Sequence, residues 1–234
     1  MIKLFAFLKR KPALSHEAFC EYWQAVHAPV VLGAQPLARY VRRYVQNHAI
    51  MDPAISGFPV ADFDGVAELW LENVEDLTAV LESPSYRDVI APSIDRIADR
   101  AGTIVVAAEE SVQFDRGFGD VKFIGLSRRP AGMTHDEWCR YWIEVHGPLA
   151  HGVSEFTRYY GKYVHNYVIP IESASAVGVD DYDGIVEEWL PSVEDFATCL
   201  AEPRYLEIVR PDELKFVDIA RSRFVLATEH VITG

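Results

Sequence analysis

Two histidines carry the chemistry this sequence advertises. His27 and His146 each close the same run, Tyr-Trp-x-x-Val-His-x-Pro, from Tyr22 to Pro29 and again from Tyr141 to Pro148, at an offset of 119 positions. An imidazole takes up and returns a proton near neutral pH, so both are candidates for acid–base catalysis. The end of a helix favours the cation and burial favours the neutral ring. The competing role for each is to donate to a backbone carbonyl and lock the turn before proline. Phenols come next. Tyr44 and Tyr163 are candidates to hold a substrate carbonyl or stabilise an oxyanion, against a plain packing role. Trp23, Trp142, Tyr40, Tyr159, His48 and His165 are the candidate substrate contacts. His48 and His165 have Tyr167 and Gln46 as counterparts, an asymmetry that reads as specialisation of one half or as drift.

The elements that must position these groups follow from periodicity. Ile2 to Leu8 is apolar on both parities, as expected of a strand covered on both faces. Ser15 and Thr134 are N-cap residues, with Thr134 and Glu137 at capping-box spacing. Phe19, Tyr22, Trp23 and Val26 then recur at helical spacing, copied by Trp138, Tyr141, Trp142 and Val145, so a helix lays this face and its histidine on a sheet until Pro29 or Pro148 ends or kinks it. A strand from Arg39 to His48, copied from Arg158 to Tyr167, places Tyr40, Tyr44, Gln46 and His48 on one face. Asn47 and Asn166 fall on the other and are read as turn- or loop-fixing. The long connections 49–63 and 168–182 read as functional covers or mobile loops. Asp64-Gly65 and Asp183-Gly184 turn into a third strand, in which Glu68 and Glu187 are read as partners of Lys3 and Lys122. A helix and a last strand complete βαββαβ, twice, joined by a Gly-rich linker over 111–120.

This order predicts an α+β fold: two ferredoxin-like βαββαβ repeats, 1–112 and 120–234, packed sheet to sheet as an intramolecular α/β barrel. The duplication then serves as a built-in dimer, and further homodimerisation is left open. A net charge of −13, from 22 basic and 35 acidic residues, argues against nucleic-acid or membrane-surface partners and for a small hydrophobic or aromatic ligand. Three cysteines form no disulfide framework, and the N-terminal apolar run has a copy mid-chain and so reads as a strand. The expected location is cytoplasmic. HxxxH, HExxH and CxxC are absent, so no metal site is expected, and no dinucleotide or phosphate loop is present.

The helix ending YWxxVHxP, the strand YVQNH and the turn-strand FDGVAELW together resemble the EthD family of dimeric α+β barrel proteins, across both halves. The second half departs with YVHNY, YDG and HGP. The resemblance implies paired ferredoxin-like units and cofactor-independent dehydratase, cyclase or lyase chemistry on cyclic ketones. The resulting expectation is a lyase of catabolism or secondary metabolism. It moves a proton through His27 or His146 without cofactor, on a small, largely apolar cyclic or aromatic carbonyl compound. The alternatives are a non-catalytic protein that holds such a compound and a cofactor-free monooxygenase.

Overall fold

The computed structural model describes residues 1–35, 37–51, 63–171 and 182–234. The two long connections read as covers therefore fall largely outside the described residues. The strands are β1 (Ile2–Leu8), β2 (Arg43–Ala49), β3 (Gly65–Leu71), β4 (Ile104–Asp115), β5 (Val121–Ser127), β6 (Lys162–Ile169), β7 (Gly184–Leu190) and β8 (Arg223–Thr233). They form one closed antiparallel barrel in the order β1-β3-β2-β8-β5-β7-β6-β4. The halves are thus joined edge to edge: β4 pairs with β6 and β8 with β2, so these strands end in no free edge. Part of the segment read as a linker belongs to β4, whose Phe114 and Asp115 pair with Tyr163 and Lys162.

The two-sided apolarity of β1 now has a cause. Phe5 and Phe7 point into the barrel with Val66, Val106, Ile124 and Leu126. Ile2 and Leu8 join Phe19, Trp23 and Leu77 in the layer between sheet and helices.

The helices on the outside are α1 (16–33), α2 (Val74–Glu82), α3 (86–94), α4 (135–151), α5 (Val193–Leu200) and α6 (205–216). No helix among the described residues is long and apolar enough to cross a membrane. Thr134 and Glu137 do form the capping box at the start of α4. Two expectations for α1 and α4 are corrected by one feature. Each contains a π-helical turn, Trp23–His27 and Trp142–His146, in which the Ala28 and Gly147 amides reach back to the Trp23 and Trp142 carbonyls. The wider turn makes room for a proline ring that would otherwise crowd the carbonyl four residues before it, so the helix runs on past Pro29 and Pro148. The extra residue per turn also shifts the phase. Phe19, Trp23, His27, Ala28 and Val31 are buried, whereas Val26 and Val145 face solvent.

Gly65 and Gly184 let the tryptophans lie on the sheet. A β-carbon on Gly184 would stand 2.5 Å from both Trp138 Cη2 and Trp142 Cζ3. Gly184→Ala should therefore cost about 1–3 kcal/mol, the usual range for overpacking, read as a lower denaturation midpoint with an unchanged slope.

At one level of the barrel interior lie four buried ionisable groups. Lys3 Nζ is 3.0 Å from Glu68 and 2.5 Å from Glu187; Lys122 Nζ is 2.5 Å from Glu68 and 2.6 Å from Glu187. The expected pairing of mid-strand glutamates with lysines is present, but each lysine bridges both halves. Asn47 and Asn166, read as loop-fixing, instead point inward and donate to Glu68 at 2.7 Å and Glu187 at 2.8 Å. Their parity was right; the face they occupy is the barrel core.

Candidate functional site

His146 ends the π-helical turn of α4 with its ring buried against Phe216, centroids 4.8 Å apart. Its Nδ1 lies 2.9 Å from Asp212 Oδ2, at the start of the second part of α6. Asp212 is held by the Tyr141 hydroxyl at 2.7 Å and by Lys215 Nζ at 2.9 Å. Burial pushes its carboxyl up, but these donors and His146 outweigh that and hold it below the usual range. A carboxylate facing Nδ1 selects the tautomer with the proton there and leaves Nε2 as the basic nitrogen. Burial holds His146 below its ordinary 6.5 even with Asp212 beside it, so the ring is neutral at neutral pH.

His27 occupies the same place in the first half, but Nδ1 meets Ser93 Oγ at 3.1 Å. Serine offers no negative charge to an imidazolium, and burial drives this ring down to about 4.

Beside His146 opens a cavity of about 80 Å³, between the helices of the second half and the outer face of β5, β6, β7 and β8. Phe123, Trp138, Trp142, Phe156, Phe196, Phe216 and Phe224 give it an aromatic wall; Tyr160, Tyr163, Glu188, Tyr205, Arg210 and Glu213 give it polar groups. Glu213 accepts from the Tyr205 hydroxyl and from Arg210, both at 3.0 Å. Burial and the charge of Glu213 push Glu188 well above the usual carboxylate range, and burial also raises Glu213. Tyr163 and Tyr205 are repeated in the first half as Tyr44 and Tyr86, but the other polar groups here, and Asp212 behind His146, have aliphatic or smaller counterparts. Tyr160 stands where that half has Val41, Glu188 has Leu69, Arg210 has Ala91, Asp212 has Ser93 and Glu213 has Ile94.

The candidates read from the sequence divide along the same line. Tyr163, Trp142 and His146 come together around the cavity. Tyr44 is sealed in the first-half core, its hydroxyl accepting from Gln46 Nε2 at 2.7 Å, and Trp23 is buried beside it. His48 stacks between Trp23 and His230 at 5.1 and 4.2 Å. His165 stacks on Trp142 at 4.1 Å as a wall behind that ring, with burial driving its pKa well down. Tyr40 and Tyr159 precede strands β2 and β6 rather than lying in them; a short helix, Leu37–Tyr40, ends at the first. Tyr159 is turned to the surface, donating to Glu202 at 2.7 Å. Asp212, Glu188 and Glu213 escaped the sequence reading, although comparing RPDE with APSI and VEEW with AELW shows each as a charge placed against a neutral residue.

Residues 11–101 and 130–220 each match the EthD domain. The chain belongs to the EthD family. One EthD relative is the conidial pigment biosynthesis dehydratase EthD of Metarhizium robertsii (strain ARSEF 23 / ATCC MYA-3075). It is 31% identical over 107 residues, 42% of this chain and 74% of the relative. The dehydratase ustZ of Ustilaginoidea virens is 28% identical over 108 residues, covering 43% and 77%. Among solved structures, an anthrone oxidase-like protein superposes with a TM-score of 0.66 at 12% identity, over all of this chain and 93% of that one. A chlorite dismutase variant of Candidatus Nitrospira defluvii does so at 0.52 and 11%, over 99% and 91%. At such identities the structures share the fold alone.

Within this EthD tandem the Asp212–His146 contact is the sharpest difference between equivalent histidines. Asp212→Ser, which copies the first half, removes a charged hydrogen bond worth about 1.5–3 kcal/mol to the imidazolium. Since Asp212 favours the imidazolium, the expected result is that His146 stays neutral to a lower pH in the variant, measured by NMR titration of the ring.

Proposed function

We propose that this protein is a lyase of the dehydratase type, that its second half carries the working site, and that the substrate is a small, ring-bearing hydroxy ketone. The observation that carries this reading is the His146–Asp212 pair at the wall of an aromatic cavity whose charged groups, Glu188, Arg210 and Glu213, have Leu69, Ala91 and Ile94 at the equivalent first-half positions. The two dehydratase relatives support the reaction class. In the proposed step, neutral His146 takes a proton through Nε2 from the carbon next to the carbonyl, and Asp212 steadies the imidazolium that forms. Tyr163, kept neutral by burial, is a donor for the developing oxyanion. The aromatic wall favours a flat, apolar ring system. We also read the halves, 1–112 and 120–234, as ferredoxin-like units, the first retained as the partner that closes the barrel.

The test is direct: incubate the purified protein with a fused-ring β-hydroxy ketone, a hydroxytetralone, and follow formation of the aromatised product by absorbance and by mass. Loss of one water supports the reading. Tight binding without turnover would instead identify a carrier, and turnover that consumes oxygen would identify a monooxygenase.

A further inference from the structure

We propose that Glu188 is the general acid of the second-half site, giving its carboxyl proton to the hydroxyl group that leaves the substrate. The proposal rests on the elimination reading above and extends it, since hydroxide is a poor leaving group and a base alone does not expel it.

The placement of Glu188 argues for this role. Along β7 successive side chains alternate faces, so Glu187 enters the barrel and joins Lys3 and Lys122 while Glu188 lines the cavity that also holds His146. A carboxyl group on the helix-facing side of a strand, buried to 6% exposure, is costly unless used or neutralised. The first half fills that position with Leu69, so the fold itself does not require a carboxyl there.

Its surroundings keep the proton on it. From α6, Glu213 presents a second carboxyl group, itself held by Arg210 and the Tyr205 hydroxyl. From the β6 side Tyr163 faces it as a phenol; Tyr160 hydrogen-bonds to it and favours the carboxylate, without outweighing burial and Glu213, and Cys199 of α5 lies behind Tyr160 with Sγ at 3.2 Å from that hydroxyl. Arg210 reaches Glu213 directly, so the cation is spent on that member of the pair. Two carboxyl groups sharing one site do not both ionise readily, and the pairing with Arg210 places the charge on Glu213 and the proton on Glu188.

The step balances without a co-reactant. His146 Nε2 takes the carbon-bound proton, that electron pair forms the new C=C bond, and the C–O bond breaks as its oxygen takes the proton of Glu188 to leave as water. The site then holds one proton more on His146 and one fewer on Glu188, and exchange with solvent restores both.

The experiment compares wild type, Glu188→Gln and His146→Ala on a hydroxytetralone and on the same ketone carrying acetate in place of hydroxyl. Acetate departs as an anion and needs no acid. Glu188→Gln should lose about 10²- to 10⁴-fold in the alcohol reaction and keep the acetate reaction near wild type, while His146→Ala loses both. An alkaline limb in the wild-type pH profile should appear for the alcohol and not for the acetate. If Glu188→Gln slows both substrates equally, or neither, the acid role is overturned and the elimination reading stands. If wild type eliminates from neither substrate, the elimination reading itself fails and takes the acid role with it.

Discussion

Replacing His146 with alanine should lower kcat/KM by about two to four orders of magnitude, the usual contribution of a positioned acid–base group, while His27→Ala leaves it within a few-fold of wild type. The rings occupy matching turns, so helix, proline and burial do not separate them. What separates them is the second nitrogen: Asp212 at 2.9 Å in one case, Ser93 at 3.1 Å in the other. An imidazole taking a proton in a buried site must carry a positive charge there, and only a facing carboxylate compensates for the lost hydration. The first-half ring, pushed down to about 4, remains neutral and gains nothing from Ser93. The acid limb of the wild-type profile should lie below pH 6.5, because burial lowers the folded-state pKa of His146 and its basic form persists as pH falls toward that value. Equal losses in the two variants would show both halves working; a loss confined to His27→Ala would reverse the assignment.

How much of this was legible in the sequence differs between the fold and the site. Element order, the capped helices and the two-sided first strand follow from periodicity and from the duplication, because each is a local pattern repeated. The outward turn of Val26 and the run of α1 past Pro29 were not legible, since a π-helical turn is written in no periodicity and shows only as the bond from Ala28 to Trp23. The site was half legible for a related reason. His27 and His146 stand out because they are identical, and identity between repeats reports the shared fold. A function confined to one half, as proposed, would be carried by differences, and Asp212, Glu188 and Glu213 are acidic residues at the positions of Ser93, Leu69 and Ile94. Only after the sheet has curled and α6 has been laid over it do these three converge with His146, from β7, α4 and α6.

The largest stability effect should come from the barrel interior, not from the site. Lys122→Met removes a cation that meets Glu68 at 2.5 Å, Glu187 at 2.6 Å and Glu229 at 3.2 Å. Two of those carboxylates are fully buried, and stranding them should cost about 3–5 kcal/mol, a large part of a typical folding free energy of about 5–15 kcal/mol. Lys3→Met should behave alike, since Lys3 makes the mirror-image contacts to Glu68, Glu187 and Glu110. The pH dependence fixes the electrostatic origin. Burial pushes both glutamates up; in Glu187 Lys122 and Lys3 outweigh it and hold the carboxyl below its ordinary 4.5, whereas in Glu68 burial and the facing Glu187 win and the carboxyl stays above it. The contribution of Glu187 is therefore present above the unfolded-state value and is lost as pH falls toward the folded one. Without Lys122 the buried carboxyls take up protons more readily, so the gap between variant and wild type should narrow as pH falls from neutral. Denaturant midpoints measured at neutral and acid pH check this; a gap that does not change with pH would mean lost packing rather than lost charge. Replacing all four, Lys3, Lys122, Glu68 and Glu187, by apolar residues of similar size should be close to neutral or stabilising by about 1–4 kcal/mol. Each lysine bridges a glutamate of its own half and one of the other, so the four groups tie the halves together at one level of the barrel.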